Sequence, residues 1–306
     1  MATLSEPGRG HAAMLLFSIG IAGSFSLGGL VANEISPVSL NAVRFAFAAL
    51  VVAAAVIPLG MVRRSHLSAP WRYMATGVLM SIYFVLMFEG LKTASAVSTS
   101  AVFTLAPLIS AIFGWFLLRQ ITTPRMAVAL AIAACGAIWV IFRADLGDLL
   151  AFKVGRGETI FFFGCIAHAA YTPLVRKLNR GEPPAVFVLG TLVAGTVVLF
   201  IYGWRDVLDT PWSRLPTIVW VTLAYVAIVA SSFTFVAVNY ATLRLPAAKV
   251  MAYTYLTPTW VIGWEWALGQ ELPKPMVFMG VGLTVVALLV LLKDDGHIPR
   301  QTNNRA

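Results

Sequence analysis

Charge is scarce in this sequence. Of its 306 residues, 11% are Asp, Glu, Lys or Arg, less than half the roughly 25% of an ordinary soluble domain. Cysteine is rarer still: Cys135 and Cys165 both fall inside apolar stretches, where a thiol reads as a small packing residue and not as half of a disulfide or metal pair. No HExxH, GxSxG or P-loop spacing occurs, so the sequence offers none of the usual enzyme constellations. Neither catalysis nor a cofactor is expected. Asp and Glu are missing from the centres of the apolar segments, where proton-coupled carriers commonly keep one.

What is present is hydrophobic: 59% of the residues, with a mean hydropathy of +0.84, place the chain among membrane proteins. The formal charge of +9 could suggest a nucleic-acid partner. The basic residues instead stand singly or in pairs between apolar segments, the distribution of topology signals. The expected partners are the lipid bilayer and a small-molecule substrate, with no nucleic acid and a monomeric state.

A spanning helix needs about 20 mainly apolar residues, and ten stretches qualify: 12–33, 39–60, 71–91, 95–118, 124–142, 157–176, 184–203, 215–241, 246–268 and 275–292. The first is too long for a signal-peptide core and lacks a clear cleavage site, so it is read as a helix. The polar tail KDDGHIPRQTNNRA is expected to be disordered. With the N-terminus cytoplasmic, the inner connections hold 14 Lys and Arg and the outer ones 7. That bias predicts a multi-pass protein of the inner (plasma) membrane with both termini inside.

One stretch occurs twice. SAVSTSAVFTLAPLISAIFGWFLLRQITTP begins at Ser95, and PAAKVMAYTYLTPTWVIGWEWALGQELPKP begins at Pro246, 151 positions later. Without a gap, Pro107 pairs with Pro258, Trp115 with Trp266 and Pro124 with Pro275. The copies lie five helices apart, and five is odd, so the second unit must be upside down relative to the first. Inverted repeats are a transporter signature, because exchanging the conformations of the halves exchanges the open side. The expected fold is therefore an all-α polytopic membrane protein, ten transmembrane helices in two inverted five-helix repeats, 1–148 and 149–306.

The chain resembles the drug/metabolite transporter superfamily in its ten-helix EamA-type branch. The resembling residues are SIGIAGSFSLGGLVANEISPVSLNAVRFAFAAL at 18–50, GLKTASAVSTSAVFTLAPLISAIFG at 90–114 and LGQELPKPMVFMGVGL at 268–283. The family often carries an acidic residue after helices 4 and 9; Glu271 fits, while Arg119 and Gln120 stand at the first position. The resemblance implies export of small metabolites by alternating access, with helices 5 and 10 at the periphery. Within the superfamily the chain looks most like the YddG-type exporters of aromatic and other hydrophobic amino acids. The alternative in the same superfamily is a drug or cation exporter working by proton antiport. An intramembrane enzyme would need chemistry the sequence lacks, and a scaffold would not need two inverted halves.

The substrate-binding residues expected from the sequence lie at mid-depth on helices 1, 3, 4, 6, 8 and 9: Ser24, Tyr83, Phe103, Pro107, His168, Tyr171, Ser232, Tyr253, Thr257, Pro258 and Trp260. Pro107 and Pro258 cannot donate to the residue four back, so the carbonyls of Phe103 and Thr254 are freed and should face protein, water or substrate. Tyr253, Thr257, Trp260 and Trp264 follow helical spacing and share one face, so aromatic chemistry is expected on helix 9. His168 is the single mid-membrane histidine, equally readable as a functional group or as a packed, hydrogen-bonded one. No metal site is expected around it. Glu34, Arg44, Glu89 and Glu265 lie toward the outer surface, and since buried charges need partners, Arg44 is expected to pair with one of these carboxylates as an outer gate.

Overall fold

A computed structural model describes residues 6–151 and 153–292; the tail expected to be disordered lies outside them. Each of the ten apolar stretches forms a helix or a broken helix. These are α1 (Glu6–Val31), α2 (Pro37–Val56), α3 (Trp71–Leu91), α4 (Ala96–Leu118), α5 (Pro124–Ile141), α6 (Arg156–Leu178), α7 (Pro184–Tyr202), α8 (Thr217–Thr242), α9 (247–267) and α10 (Val277–Leu292). Among the described residues no strand forms, as a bilayer demands of a chain that does not close a barrel.

The helix starts follow from local chemistry. Pro37, Pro124 and Pro184 occupy first helical positions, where a missing N–H costs nothing. Ser95 and Thr123 cap α4 and α5, their hydroxyl oxygens accepting from the N–H of Ser98 and Met126. Two boundaries differ from expectation. α1 begins at Glu6 instead of residue 12, because Glu6 pairs with Arg9 at 3.1 Å and with Arg244 at 2.7 Å, which lets a polar first turn extend past the apolar run. α2 ends at Val56, short of residue 60, where Pro58 and the left-handed Gly60 (φ +63°) turn the chain. The expected 148/149 division falls inside a short helix, Leu146–Leu150, capped by the Asp145 carboxylate.

The repeated helices break at equivalent places. α4 is interrupted at Thr104 and Leu105, just before Pro107, and α9 passes through a 3₁₀ turn at Tyr253–Leu256, just before Pro258. Proline removes the i→i−4 bond, and the tighter i→i−3 turn takes up the slack.

Packing joins the two halves throughout. α3 lies along α6 and α7, and α8 lies along α1 and α2. α4 meets α6, α9 meets α1, α2 meets α7, α4 meets α9 and α5 meets α10. Replacing each helix by the one five places away returns the same set of contacts. Close approaches are made by glycine: a Cβ on Gly90 would lie 2.7 Å from the carbonyl oxygen of Gly157, and one on Gly136 2.6 Å from that of Gly280. α5 and α10 pack on each other at the edge, with Val128, Ile138, Phe278, Met279 and Leu289 exposed, as a lipid-facing pair requires.

Candidate substrate site

The centre of the bundle is an aromatic box. Tyr83 from α3 lies 4.4 Å (ring centroids) from His168 of α6, 5.7 Å from Phe103 at the break in α4, and 5.8 Å from Phe161 of α6. Phe25 of α1 closes one side at 5.7 Å from Phe103, and Tyr171 continues the row at 6.4 Å from His168. Phe84 and Phe235 stack at 5.8 Å beside it. His168 and Tyr171, three residues apart, share one helical face. Each member is almost fully buried, and the rings fill the space between α1, α3, α4, α6 and α8.

Polar atoms inside the box lack protein partners. The Tyr83 hydroxyl and His168 Nδ1 are buried without a hydrogen bond, as is Asn239 Oδ1. Asn239 gives its amide N–H groups to the Tyr171 oxygen at 2.7 Å and to the Phe235 carbonyl at 2.9 Å. A buried unpaired polar group is costly, and three on residues in or bonded to one aromatic enclosure suit a site that binds something both apolar and polar.

The structure thus brings Tyr83, Phe103, His168 and Tyr171 together, with Pro107 buried just beyond the α4 break. Other expected residues lie elsewhere. Ser24 donates to its own helix at Ile21, and Ser232 donates to Ala227 and Ala48 carbonyls. The helix 9 stripe packs against α1 and α8: Tyr253 meets His11 at 3.0 Å, the Trp260 indole N–H donates to Ser18 at 3.2 Å, and Trp264 meets Tyr225 edge-on. Thr257 is buried with its hydroxyl unpartnered beside the buried Pro258. Surface grooves, such as one of about 560 Å³ between α4 and α5 and one of about 360 Å³ between α3 and α7, lie away from the box.

The expected outer ion pair is not formed. Arg44 is fully buried, yet its partners are neutral: Nε donates to Ser231 Oγ at 2.7 Å, Nη2 to the Ala230 carbonyl at 3.1 Å and Nη1 to Asn41 Oδ1 at 3.4 Å. Its guanidinium lies 3.6 Å from the Phe84 ring centre. Glu89 pairs instead with Lys92 at 2.7 Å, three residues along the same helix end, while Glu34 is exposed and Glu265 half-buried. The carboxylates sit at the helix ends, where water and local cations satisfy them; Arg44 lies deeper, against α8.

Two polar contacts that sequence reasoning missed tie the halves together. Arg72 and Glu182 form a buried ion pair at 2.7 Å, and Arg72 also donates to the carbonyls of Leu178 and Ser68. Burial alone would raise the Glu182 carboxyl, but the Arg72 guanidinium and the Arg180 N–H hold it below its ordinary value. At the other end of α6 the Ser98 hydroxyl donates to the buried Glu158 at 2.7 Å. Each partner reads as an ordinary helix-end residue; only the fold juxtaposes them.

A family model described as the EamA-like transporter family matches residues 8–142 and again residues 155–293. The uncharacterized transporter YyaM of Bacillus subtilis is 26% identical over 280 residues, covering 91% of both chains. An uncharacterized transporter of Archaeoglobus fulgidus is 22% identical over 275 residues, 89% of this chain and 92% of the other. A probable terminal-alkyne amino-acid exporter of Streptantibioticus cattleyicolor is 25% identical over 272 residues, 86% of each. One crystal structure shares the fold with a TM-score of 0.71, at 20% identity over 95% of this chain and 97% of that one.

Proposed function

This chain belongs to the EamA-like transporter family, and from that premise we propose that it exports small hydrophobic or amphipathic metabolites, with aromatic and neutral amino acids as its substrates. The two halves, 1–148 and 149–306, act as inverted repeats that alternately open the central box to either side. The protein works as a monomer in the inner membrane, multi-pass, with both termini in the cytoplasm.

The observation that carries this reading is the box of Tyr83, Phe103, Phe161, His168 and Tyr171, holding unpartnered polar atoms from Tyr83, His168 and Asn239. An aromatic side chain stacks well on such rings, and a substrate's polar groups would satisfy the buried atoms that the protein leaves open. The box draws residues from both halves, α1, α3 and α4 with α6 and α8, as alternating access requires. The relative described as a probable amino-acid exporter supports the same substrate class. Drug or cation export by proton antiport is the rival, for which His168 is the titratable group of the box.

Counterflow in proteoliposomes tests the reading, with labelled phenylalanine, leucine and alanine beside a cationic drug. The expected result is amino-acid exchange that persists without a pH gradient and falls at least tenfold in Tyr83→Ala. Exchange of the drug alone, or strict dependence on a proton gradient, overturns it.

A further inference from the structure

Arg44 is a cation without an anion. It lies in α2, fully buried, and its bonds go to a serine hydroxyl, a main-chain carbonyl and an asparagine oxygen. The ion pairs among the described residues engage Glu6, Glu89, Asp148 and Glu182 with other cations, and the buried Glu158 accepts from Ser98. A guanidinium stays protonated at any physiological pH, and an uncompensated buried charge costs several kcal/mol. A fold that tolerates this has neutral groups holding the charge, or an anion that arrives.

The surrounding geometry favours arrival. The α-helical ladder of α8 gives way to a π-helical segment, Ile228–Phe233, and it is this segment that turns the Ala230 carbonyl and Ser231 hydroxyl toward Arg44. Single π segments inside α-helices recur at functional sites. Three hydrogen bonds and the Phe84 ring fix the plane of the guanidinium. Of the five N–H groups that every arginine presents, one on each terminal nitrogen is left over. That is the pair with which arginine grips a carboxylate in bidentate fashion. Phe84, against the guanidinium, has its ring centre 4.5 Å from that of Tyr83, so Arg44 and the aromatic box are one ring apart.

We propose that Arg44 is the carboxylate receptor of the transport site, and that it selects zwitterionic amino acids by supplying a fixed positive charge against which an α-carboxylate docks. The amino-acid side chain then enters the aromatic box. Ser231 is a positioning residue that aims the guanidinium through Nε. The inference rests on the amino-acid reading of the box and assigns the group that recognises the amino acid's acidic end.

The test begins with the unaltered protein in proteoliposomes loaded for counterflow with labelled phenylalanine. Phenylalaninamide and phenethylamine, which lack the carboxylate, are expected to compete at least tenfold less well than unlabelled phenylalanine. Arg44→Gln should abolish phenylalanine counterflow, and Arg44→Lys, which keeps the charge and loses the fork, should raise the half-saturating concentration about tenfold or more. Ser231→Ala should also raise the half-saturating concentration while leaving the maximal rate within about twofold, a split that a general loss of folding would not give. Equal competition by the amide in the unaltered protein overturns the assignment even if Arg44→Gln fails to fold, as does phenylalanine counterflow retained in Arg44→Gln. If the amines exchange and no amino acid of the panel does, the amino-acid reading falls and Arg44's role falls with it; if amino acids exchange but the carboxylate is ignored, Arg44's role alone falls.

Discussion

At the scale of single residues, the bundle handles its buried charges in two opposite ways. Arg72 and Glu182 neutralise each other at 2.7 Å, whereas Arg44 is held by neutral groups alone. Removing one member of a buried pair strands the other, typically at about 3–5 kcal/mol. Glu182→Gln should therefore lower the melting temperature in detergent by several degrees. The Glu182 carboxyl is held below its ordinary value in the folded protein, so its contribution is present above the ordinary carboxylate pKa and is lost as pH falls through the lowered one. The melting temperature of the wild type should be level between about pH 6 and pH 8 and drop in acid, and Glu182→Gln should show a shallower acid limb; equal limbs measured by differential scanning fluorimetry would sink the assignment. In the box, Tyr83→Phe deletes only the unpartnered hydroxyl. Since the protein gives that hydroxyl nothing to bind, the variant should keep or gain thermal stability while losing severalfold in counterflow of phenylalanine. Lost stability with unchanged counterflow would mean the hydroxyl serves the fold alone.

At the scale of elements, irregular backbone meets the proposed site in α4 and α8 but not in α9. α4 and α9 break ahead of Pro107 and Pro258, and α8 loosens to a π segment beside Arg44. The intervening contacts are stiff, with α3 and α6 meeting backbone to backbone at Gly90 and Gly157. A methyl on Gly90 would sit 2.7 Å from a carbonyl oxygen, while one on Gly282 would meet nothing within 4 Å. Both glycines lie in helices, where alanine is intrinsically better by about 1 kcal/mol. Gly90→Ala should nonetheless be destabilising by about 1–3 kcal/mol through overpacking, and Gly282→Ala neutral to stabilising. Thermal denaturation of the two variants side by side decides this, and a like sign for both would mean α3 and α6 do not meet so closely.

At the scale of the whole molecule, the pairing of helices maps onto itself when the halves are exchanged, and the same family model matches both halves. The side chains do not follow that symmetry. The box takes Tyr83, Phe84 and Phe103 from the first half and Phe161, His168, Tyr171 and Phe235 from the second. The proposed orientation is checked with single cysteines in a background carrying Cys135→Ser and Cys165→Ala. Arg180→Cys should react with a membrane-impermeant maleimide only from the cytoplasmic side, and Lys274→Cys only from outside; the reverse pattern would invert the topology.

The ten helices were legible in the sequence because a bilayer imposes length and hydropathy on each span separately, and both are local properties. The prolines of the repeat marked the breaks in α4 and α9 for the same reason: a missing N–H acts on its own helix. What meets what across the bundle is not local. Phe25, Phe161, Phe235 and Asn239 stand in their helices like any apolar or polar residue, and no spacing marks them as parts of one cluster. The aromatic stripe of α9, conspicuous in sequence, packs against α1 instead, and Arg44 bonds to α8 instead of to the nearest carboxylates. Sequence alone determined how many times the chain crosses the membrane and that its halves are related. Tertiary packing decided which rings and which cation share the centre, because contacts between helices far apart in the chain depend on rotation and depth that no single helix encodes.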